Sequence, residues 1–281
     1  MTRTKLPMVG GNAHETMPAF LASDPHFALS LHLDEEARGE PGLIDALEAV
    51  QAALEAGTDA VVSLAPHQVE VAARVLGEGE VEGRVFGRHQ YHFWETALPG
   101  VWRVETLDEG GRRASAHLEV APIPRVVVAA SAEAPRAELP PVDLGREGLM
   151  NAAGILTEIR HHLQLLRPGA PNHVISFSLM PLSESDMTLL EEVLGRGPVD
   201  IVTRGFGTCR VQLTGVQRVW SVQHFGAAGN LLLDTLEIGD VPAAALAAPE
   251  DLADAAVRLA SLLQGGEEVR GDWPREAPVG P

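Results

Sequence analysis

Cysteine, basic residues, aromatics and long apolar runs are all scarce in this 281-residue chain, and each scarcity closes off a class of function. The single cysteine, Cys209, cannot close an internal disulfide. It is also too little for a zinc or iron–sulfur site built within one chain. Such usage suits a reducing cytoplasm. Lysine and arginine number 21 against 39 aspartates and glutamates, a formal charge of −18. A surface of that sign repels phosphate backbones, so no nucleic acid is expected as a partner, whereas basic proteins or peptides are. No stretch approaches the roughly 18 uncharged apolar residues of a membrane span. The first residues, MTRTKLPMVGGNAHETMP, lack the apolar run of a secretory signal. The expectation is a cytoplasmic protein with no membrane span. Apolar residues make up 45% of the chain, enough to pack one large domain or two ordinary ones.

Aromatics are only 4% of the chain, yet Val-Trp-x-Val occurs twice, in GVWRVETLDEGG from residue 100 and in RVWSVQHFGAAG from residue 218. The echo is the centre of a longer match. Residues 76–124 align with 194–242 without a gap, at a constant offset of 118, and 13 of the 49 positions are identical. About three would be expected by chance. The identities include Gly79/Gly197, Thr96/Thr214, Trp102/Trp220, Glu119/Glu237 and Pro124/Pro242. The chain reads as a tandem duplication.

Periodicity gives each copy the same order of elements. LIDALEAVQAALEAG places Leu43, Ile44, Leu47, Val50 and Leu54 on one helical stripe, and Gly57 stops the helix. GILTEIRHHLQLL repeats the stripe with Ile155, Leu156, Ile159, Leu163 and Leu166. A short apolar run follows each, AVVSLAP and VISFSLMP, and reads as a strand. Next comes a second helix. In the second copy it starts at Ser183, an N-cap with Asp186 three residues on, and ends at Gly195; in the first copy it is QVEVAARVLG, about one turn shorter. Strands are then expected around 81–86, 89–96, 101–107 and 113–120, with counterparts 118 residues later. The fold class is α+β: a tandem pseudo-symmetric repeat, each unit helix–strand–helix followed by several mostly antiparallel strands. The expected organisation is an N-terminal segment over 1–40, a first repeat over 41–130, an acidic, proline-rich linker over 131–149, and a second domain over 150–264. APEDLADAAVRLASLLQGG reads as a helix, residues 265–281 as a disordered tail, and FALSLHL as a weak strand.

Chemistry-bearing clusters are thin. His89 and His92 sit at an odd spacing on an expected strand, which points their rings to opposite faces. Glu158 and His161 are spaced as half of a di-iron carboxylate motif, but no second Glu-x-x-His exists; His161 and His162 read as a polar helix face with local Glu–His pairing. His67 and Glu70 are a weaker case of the same spacing. Cys209, beside Arg210, reads as a small buried hydrophobe in preference to a reactive thiol. No phosphate-cradling loop, nucleophile elbow or dinucleotide fingerprint is present. No enzyme site, metal or cofactor is therefore expected.

The duplicated positions carry more weight. In Val-Trp-x-Val the valines are taken to share one face of the strand and the tryptophan the other. Two placements stay open for Trp102 and Trp220: core or inter-repeat packing, or an outward surface for a partner. Glu119 and Glu237 are expected to pair with backbone or with an arginine such as Arg84 or Arg160. The candidate partner-binding residues are Trp102, Trp220, Glu119, Glu237, Arg160 and His224.

The stretches ILTEIRHHLQLL, PLSESDMTLLEEVLGRGPVDI, GVQRVWSVQHFGAAGNLLLDTLEI and VPAAALAAPEDL together resemble the C-terminal domain of the HupH/HyaF family, over about residues 150–264. The first copy resembles the weaker repeat of the same domain. The resemblance implies a hydrogenase expression and formation protein: an accessory factor or chaperone in maturation of membrane-bound nickel–iron hydrogenases. It implies action on the iron–sulfur small subunit while that precursor, with its twin-arginine signal peptide, is still cytoplasmic. A thioredoxin-like sister chaperone is the second implied partner. No catalytic residues carry over. The alternative reading is a metal or iron–sulfur cluster carrier in the same pathway, with Glu158, His161 and His162 as its best residues.

Overall fold

The computed structural model describes residues 31, 33–205 and 207–265. The tail after residue 265 lies outside the described residues, as does most of the FALSLHL segment; of that segment Leu31 and Leu33 are described, and both are buried. The first copy supplies α1 (Glu35–Gly39), α2 (Leu43–Ala56), β1 (Ala60–Leu64), α3 (Val69–Leu76), β2 (Val81–Val85), β3 (Gln90–Glu95), β4 (Val101–Leu107), β5 (Arg113–Val120) and α4 (Arg125–Ala132). The second supplies α5 (Ala152–Leu165), β6 (His173–Ser176), α6 (Glu184–Leu194), β7 (Arg196–Arg204), β8 (Thr208–Thr214), β9 (Val219–Phe225), β10 (Leu231–Ile238) and α7 (Pro249–Leu263).

Ten strands join one antiparallel sheet in the order β1-β5-β4-β3-β2-β7-β8-β9-β10-β6. The order of one copy is the mirror of the other, and the copies meet where β2 pairs with β7. The register there sets Val81 against Thr203 and Val85 against Val199, with Gly83 against Ile201 midway. Each of these is 118 residues from a counterpart in the same set, so the pseudo-two-fold axis passes through the Gly83–Ile201 pair. Two sheets that would each have exposed an unpaired edge at this point close on one another.

One face of the sheet is covered by two separate helical layers. Over β1, β5 and β4 lie α2 and α3, whose stripes bury Leu43, Leu47, Val50, Ala72, Val75 and Leu76 against Val101, Leu118 and Val120. Over β10 and β6 lie α5 and α6, burying Ile155, Leu156, Ile159, Leu189 and Leu190 against Ile175, Leu236 and Ile238. The helix ends follow the sequence signals. Gly57 takes the left-handed conformation that stops α2. Ser183 and Asp186 form the expected capping box of α6, Ser183 Oγ accepting from Asp186 N at 3.0 Å and Asp186 Oδ2 from Ser183 N at 3.0 Å. Asp186 does more than the box requires. Its carboxylate also accepts from the backbone N–H groups of Met150, Asn151 and Ala152, so one buried side chain caps two helices.

The segments trailing each copy cross to the other. α7 follows the second copy in sequence, yet Ala255, Leu259 and Leu262 belong to the core beneath α2. Its approach is close: a Cβ on Gly100 would stand 2.5 Å from Leu252 Cδ2, and Gly100 has φ +77°, so glycine is required there twice over. Conversely, the stretch read as a linker is packed. Arg136 bridges to Val216, and Leu139, Val142 and Leu149 pack into the second copy's core. Its proline and acid content suggested a free connector, but apolar residues spaced along it find a hydrophobic layer waiting.

The opposite face of the sheet forms a third core, continuous across the seam. Val85, Phe93, Trp102 and Val104 from the first copy meet Val199, Ile201, Val211, Leu213, Trp220 and Val222 from the second. α4 covers it with Val127 and Ala130, and a short turn at Ala243–Ala245 adds Ala245. The expected faces of Val-Trp-x-Val need correction. Val104 and Val222 share a face with the tryptophans, while Val101 and Val219 lie on the helix side, because a spacing of three residues crosses a sheet of period two.

Candidate functional site

The duplicated tryptophan and glutamate are cross-strand neighbours in both copies: Trp102 opposes Glu119, and Trp220 opposes Glu237. Paired residues project to the same face. Both tryptophans are fully buried in the seam core, which takes the first of their two open placements and leaves neither indole at the surface. Their polar ends differ. Trp102 Nε1 donates to Ala121 O at 2.8 Å, whereas Trp220 Nε1 has no acceptor. Buried Glu119 accepts from Arg125 N at 2.8 Å and lies 3.5 Å from both the Arg125 guanidinium and His117. Glu237 accepts from Asn172 Nδ2 at 3.0 Å. Neither pairs with Arg84 or Arg160. Arg160 is exposed on α5, across the sheet from Glu237, and Arg84 is exposed on β2.

His224 is half-buried on β9, and its Nε2 stands 3.8 Å from Cys209 Sγ on the neighbouring strand. Burial pushes the Cys209 thiol up to about 12, with Glu237 adding to the rise, so the pair is a packed contact and holds no thiolate. His92 pairs with Glu82 at 2.9 Å, and His89 precedes the strand.

The two copies diverge most tellingly at the far end of the sheet. The first copy has Arg113-Ala114-Ser115-Ala116 where the second has Leu231-Leu232-Leu233-Asp234. Leu231, Leu232 and Leu233 are all exposed, and so is nearby Leu179, at 85%. Leu231 borders an open cavity of about 250 Å³, walled also by Phe177, Met180, Leu182 and Met187, with Asp234 among its lining residues; Leu233 pairs with His224 and projects to the opposite face of the sheet. Asp234 is 3% exposed, and no cation pairs with its carboxylate among the described residues. Burial pushes its pKa up to about 6, partly offset by Gln223 across the strand. Gln223 offers this acid a neutral donor, and the partner the apolar basin leaves it without is a cation. The sequence reading missed Asp234. The aligned quartets contained the signal, since an acid replaces alanine beside three leucines.

A second pair of features follows the pseudo-two-fold. Gly79, Glu80, Thr203, Ala244 and Ala247 line a cleft of about 460 Å³, and their counterparts Gly197, Pro198, Val85, Val126 and Ala129 line another. The former is mainly acidic, with Glu80, Glu95, Asp251 and Asp254 against Arg258; the latter carries Arg88, His89 and Arg196 against Glu133. Burial, with Glu80 and Asp251 nearby, pushes Glu95 up to about 7. The duplication has kept the shape and inverted the charge.

One cluster of metal-capable side chains exists among the described residues: Glu158, His162 and His173. The helical partner of Glu158 is His162, one full turn on, while His161 points to solvent. His173, which the sequence reading did not single out, opens β6. Burial first, then His173 and His161, lowers the pKa of His162.

No described helix is long and apolar enough to cross a membrane. Comparison with known proteins bears on the whole chain. The profile described as HupH hydrogenase expression protein, C-terminal conserved region, matches residues 46–138 and again 149–265. Hydrogenase expression/formation protein HupH of Rhizobium leguminosarum bv. viciae is 40% identical over 227 residues, 79% of either chain. HoxQ of Cupriavidus necator, with the same description, is 37% identical over 80% of this chain and 84% of its own. A solved structure, hydrogenase expression protein HupH from Thiobacillus denitrificans ATCC 25259, is 28% identical over 41% of this chain and 96% of its own, with a TM-score of 0.38.

Proposed function

Because the chain belongs to the HupH family of hydrogenase expression/formation proteins, with a role in hydrogenase maturation, we propose that it works there by binding and not by turnover. Its ligand in this reading is the cytoplasmic precursor of the iron–sulfur small subunit of a nickel–iron hydrogenase, held before twin-arginine export. A thioredoxin-like chaperone shares the precursor with it. The observation that carries the reading is the second copy's basin: exposed leucines at the end of the sheet, with Leu231 at the rim of a cavity whose buried acid, Asp234, pairs with no cation among the described residues. Export signals join basic residues to an apolar stretch. Such a segment would cover the leucines and supply the missing cation, and desolvation would strengthen the charge pairing. The net charge of −18 favours the same encounter at longer range.

The test is capture of the small-subunit precursor, with and without its signal peptide, by wild type, Asp234→Asn and Leu232→Ser. The reading expects wild type to retain the intact precursor, lose most of it when the signal is removed, and lose it in both variants while their folding is unchanged. Equal capture by all three proteins would overturn the basin as the binding site. No capture by wild type would overturn the precursor as the ligand.

A further inference from the structure

The cluster on α5 and β6 is separate from the basin and independent of that reading. Glu158 and His162 are four residues apart, hence on one face of α5. His173 is the first residue of β6 and alternates with Ile175, which is buried under α5 and α6, so its ring also faces α5. His173 Nε2 lies 2.6 Å from Glu158 Oε1. The ring of His162 lies flat on that of His173, centroids 3.4 Å apart and planes within 2°. One ligand atom from each of the three residues lies within 4.8 Å of the other two.

Holding the helix on the sheet does not require these groups. α2 and α5 are both 14 residues long, and superposed from their first residues they share four buried positions: Leu43, Ala46, Leu47 and Val50 answer Ala152, Ile155, Leu156 and Ile159, while α2 alone also buries Gln51, Ala53 and Leu54. In that superposition Glu158 falls on Ala49 and His162 on Ala53. His173 opposes Ile238 as Ala60 opposes Val120, and 120 and 238 are counterparts. All three ligand positions are therefore alanine in the first copy, where the same architecture stands without them. A glutamate alone would satisfy His173. The second imidazole adds a ring stack on His173 and another nitrogen lone pair.

We propose that Glu158, His162 and His173 form a mononuclear site for a borderline divalent ion of the zinc class. Two imidazoles and a carboxylate suit such an ion, and neither magnesium nor calcium is well matched by nitrogen donors. Three protein ligands leave a fourth position for water or for a group on a partner. Bonds of about 2.0–2.1 Å at a tetrahedral ion set ligand atoms about 3.3 Å apart, so His173 and Glu158 have to separate from 2.6 Å while the His162 nitrogen turns in, and rotation of the partly exposed side chains supplies that movement. The ring stack has to open as the two lone pairs turn to the ion. His161 is exposed and sits edge-on to His162, outside the ligand set.

The experiment uses the full chain without an affinity tag, stripped of metal and titrated with Zn²⁺, with Mg²⁺ as control and Co²⁺ as an optical probe. One Zn²⁺ per chain is expected, with tetrahedral Co²⁺ absorption bands and the largest movements of ring resonances at His162 and His173. His162→Ala and His173→Ala should each weaken binding by about tenfold or more, and His161→Ala should not. Melting curves of the metal-free variants identify any that fail to fold, and Glu158→Gln, which keeps the helix intact, serves in their place. The proposal fails if Zn²⁺ does not bind, or if these ligand variants bind it as wild type does.

Discussion

Gly83 and Ile201 face each other across the β2–β7 seam as counterparts in the two copies, and the volumes around them are exchanged. In the first copy the strand next to Gly83 carries Phe93; in the second the strand next to Ile201 carries Val211. A Cβ on Gly83 would stand 2.2 Å from Phe93 Cζ, so the ring occupies the space the glycine leaves. Small with large on one side of the axis answers medium with medium on the other, and the seam core stays filled.

This makes the seam testable. Gly83→Val should lower stability by about 1–3 kcal/mol through overpacking. Combining it with Phe93→Val, which imitates the second copy, should recover most of the loss. A thermal-melt double-mutant cycle measures the coupling, and additive losses would show that the two residues do not share one space.

The tryptophans should respond unequally. Trp102→Phe strands the carbonyl of Ala121, which the indole N–H now satisfies, whereas Trp220→Phe removes an N–H that has no acceptor. Trp102→Phe is therefore expected to be the more costly by about 1–2 kcal/mol in denaturant unfolding. Truncation to alanine should cost about 3–5 kcal/mol at either site. Losses of that size are needed before loss of partner binding by an alanine variant is read as anything but unfolding.

Asp186 should govern acid stability of the second copy. Four backbone N–H groups and the charge they stabilise hold its pKa down at about 2, against an ordinary aspartate value near 4. A depressed acid contributes stability above its unfolded pKa and loses it as pH falls through the folded one. Asp186→Asn is expected to cost about 2 kcal/mol at neutral pH, with the gap to wild type closing between about pH 4 and 2. Paired acid titrations followed by circular dichroism would check it; a gap constant with pH would contradict the assignment.

Asp234 has the opposite sign. Its folded pKa, about 6, lies above the unfolded value near 4, so the ionised form costs stability at neutral pH and the cost is relieved as pH falls through 6 towards 4. Asp234→Asn should melt higher than wild type at pH 8, by the equivalent of about 2 kcal/mol, and the advantage should shrink by pH 5. A stabilised variant that binds its partner less well would identify a residue kept for binding.

Much of the fold was legible because it depends on local regularities. The helical stripes ending at Gly57 and Gly195, the Ser183–Asp186 box and the period-two runs of β2 to β5 are set by residues within a few positions of one another. The offset of 118 reported the duplication without any structure. α4 was not legible: Arg-Val-Val-Val-Ala-Ala has β-branched residues at its start, and its helix forms because the seam core needs a cover. The packed linker and the crossing of α7 to the first copy escaped for a similar reason, since an apolar stripe does not say which layer will bury it.

The candidate sites divide along the same line. Sequence alone determined the family resemblance, the acidic surface, the paired Trp and Glu positions, and the lack of a self-contained cysteine-based metal site. Only tertiary structure decided that the tryptophans are sealed in the seam, that Asp234 is buried without a cation, and that His173 meets His162 and Glu158 across a loop. Burial and pairing between distant residues are properties of the packed sheet, set by which strands become neighbours, and periodicity carries no information about that.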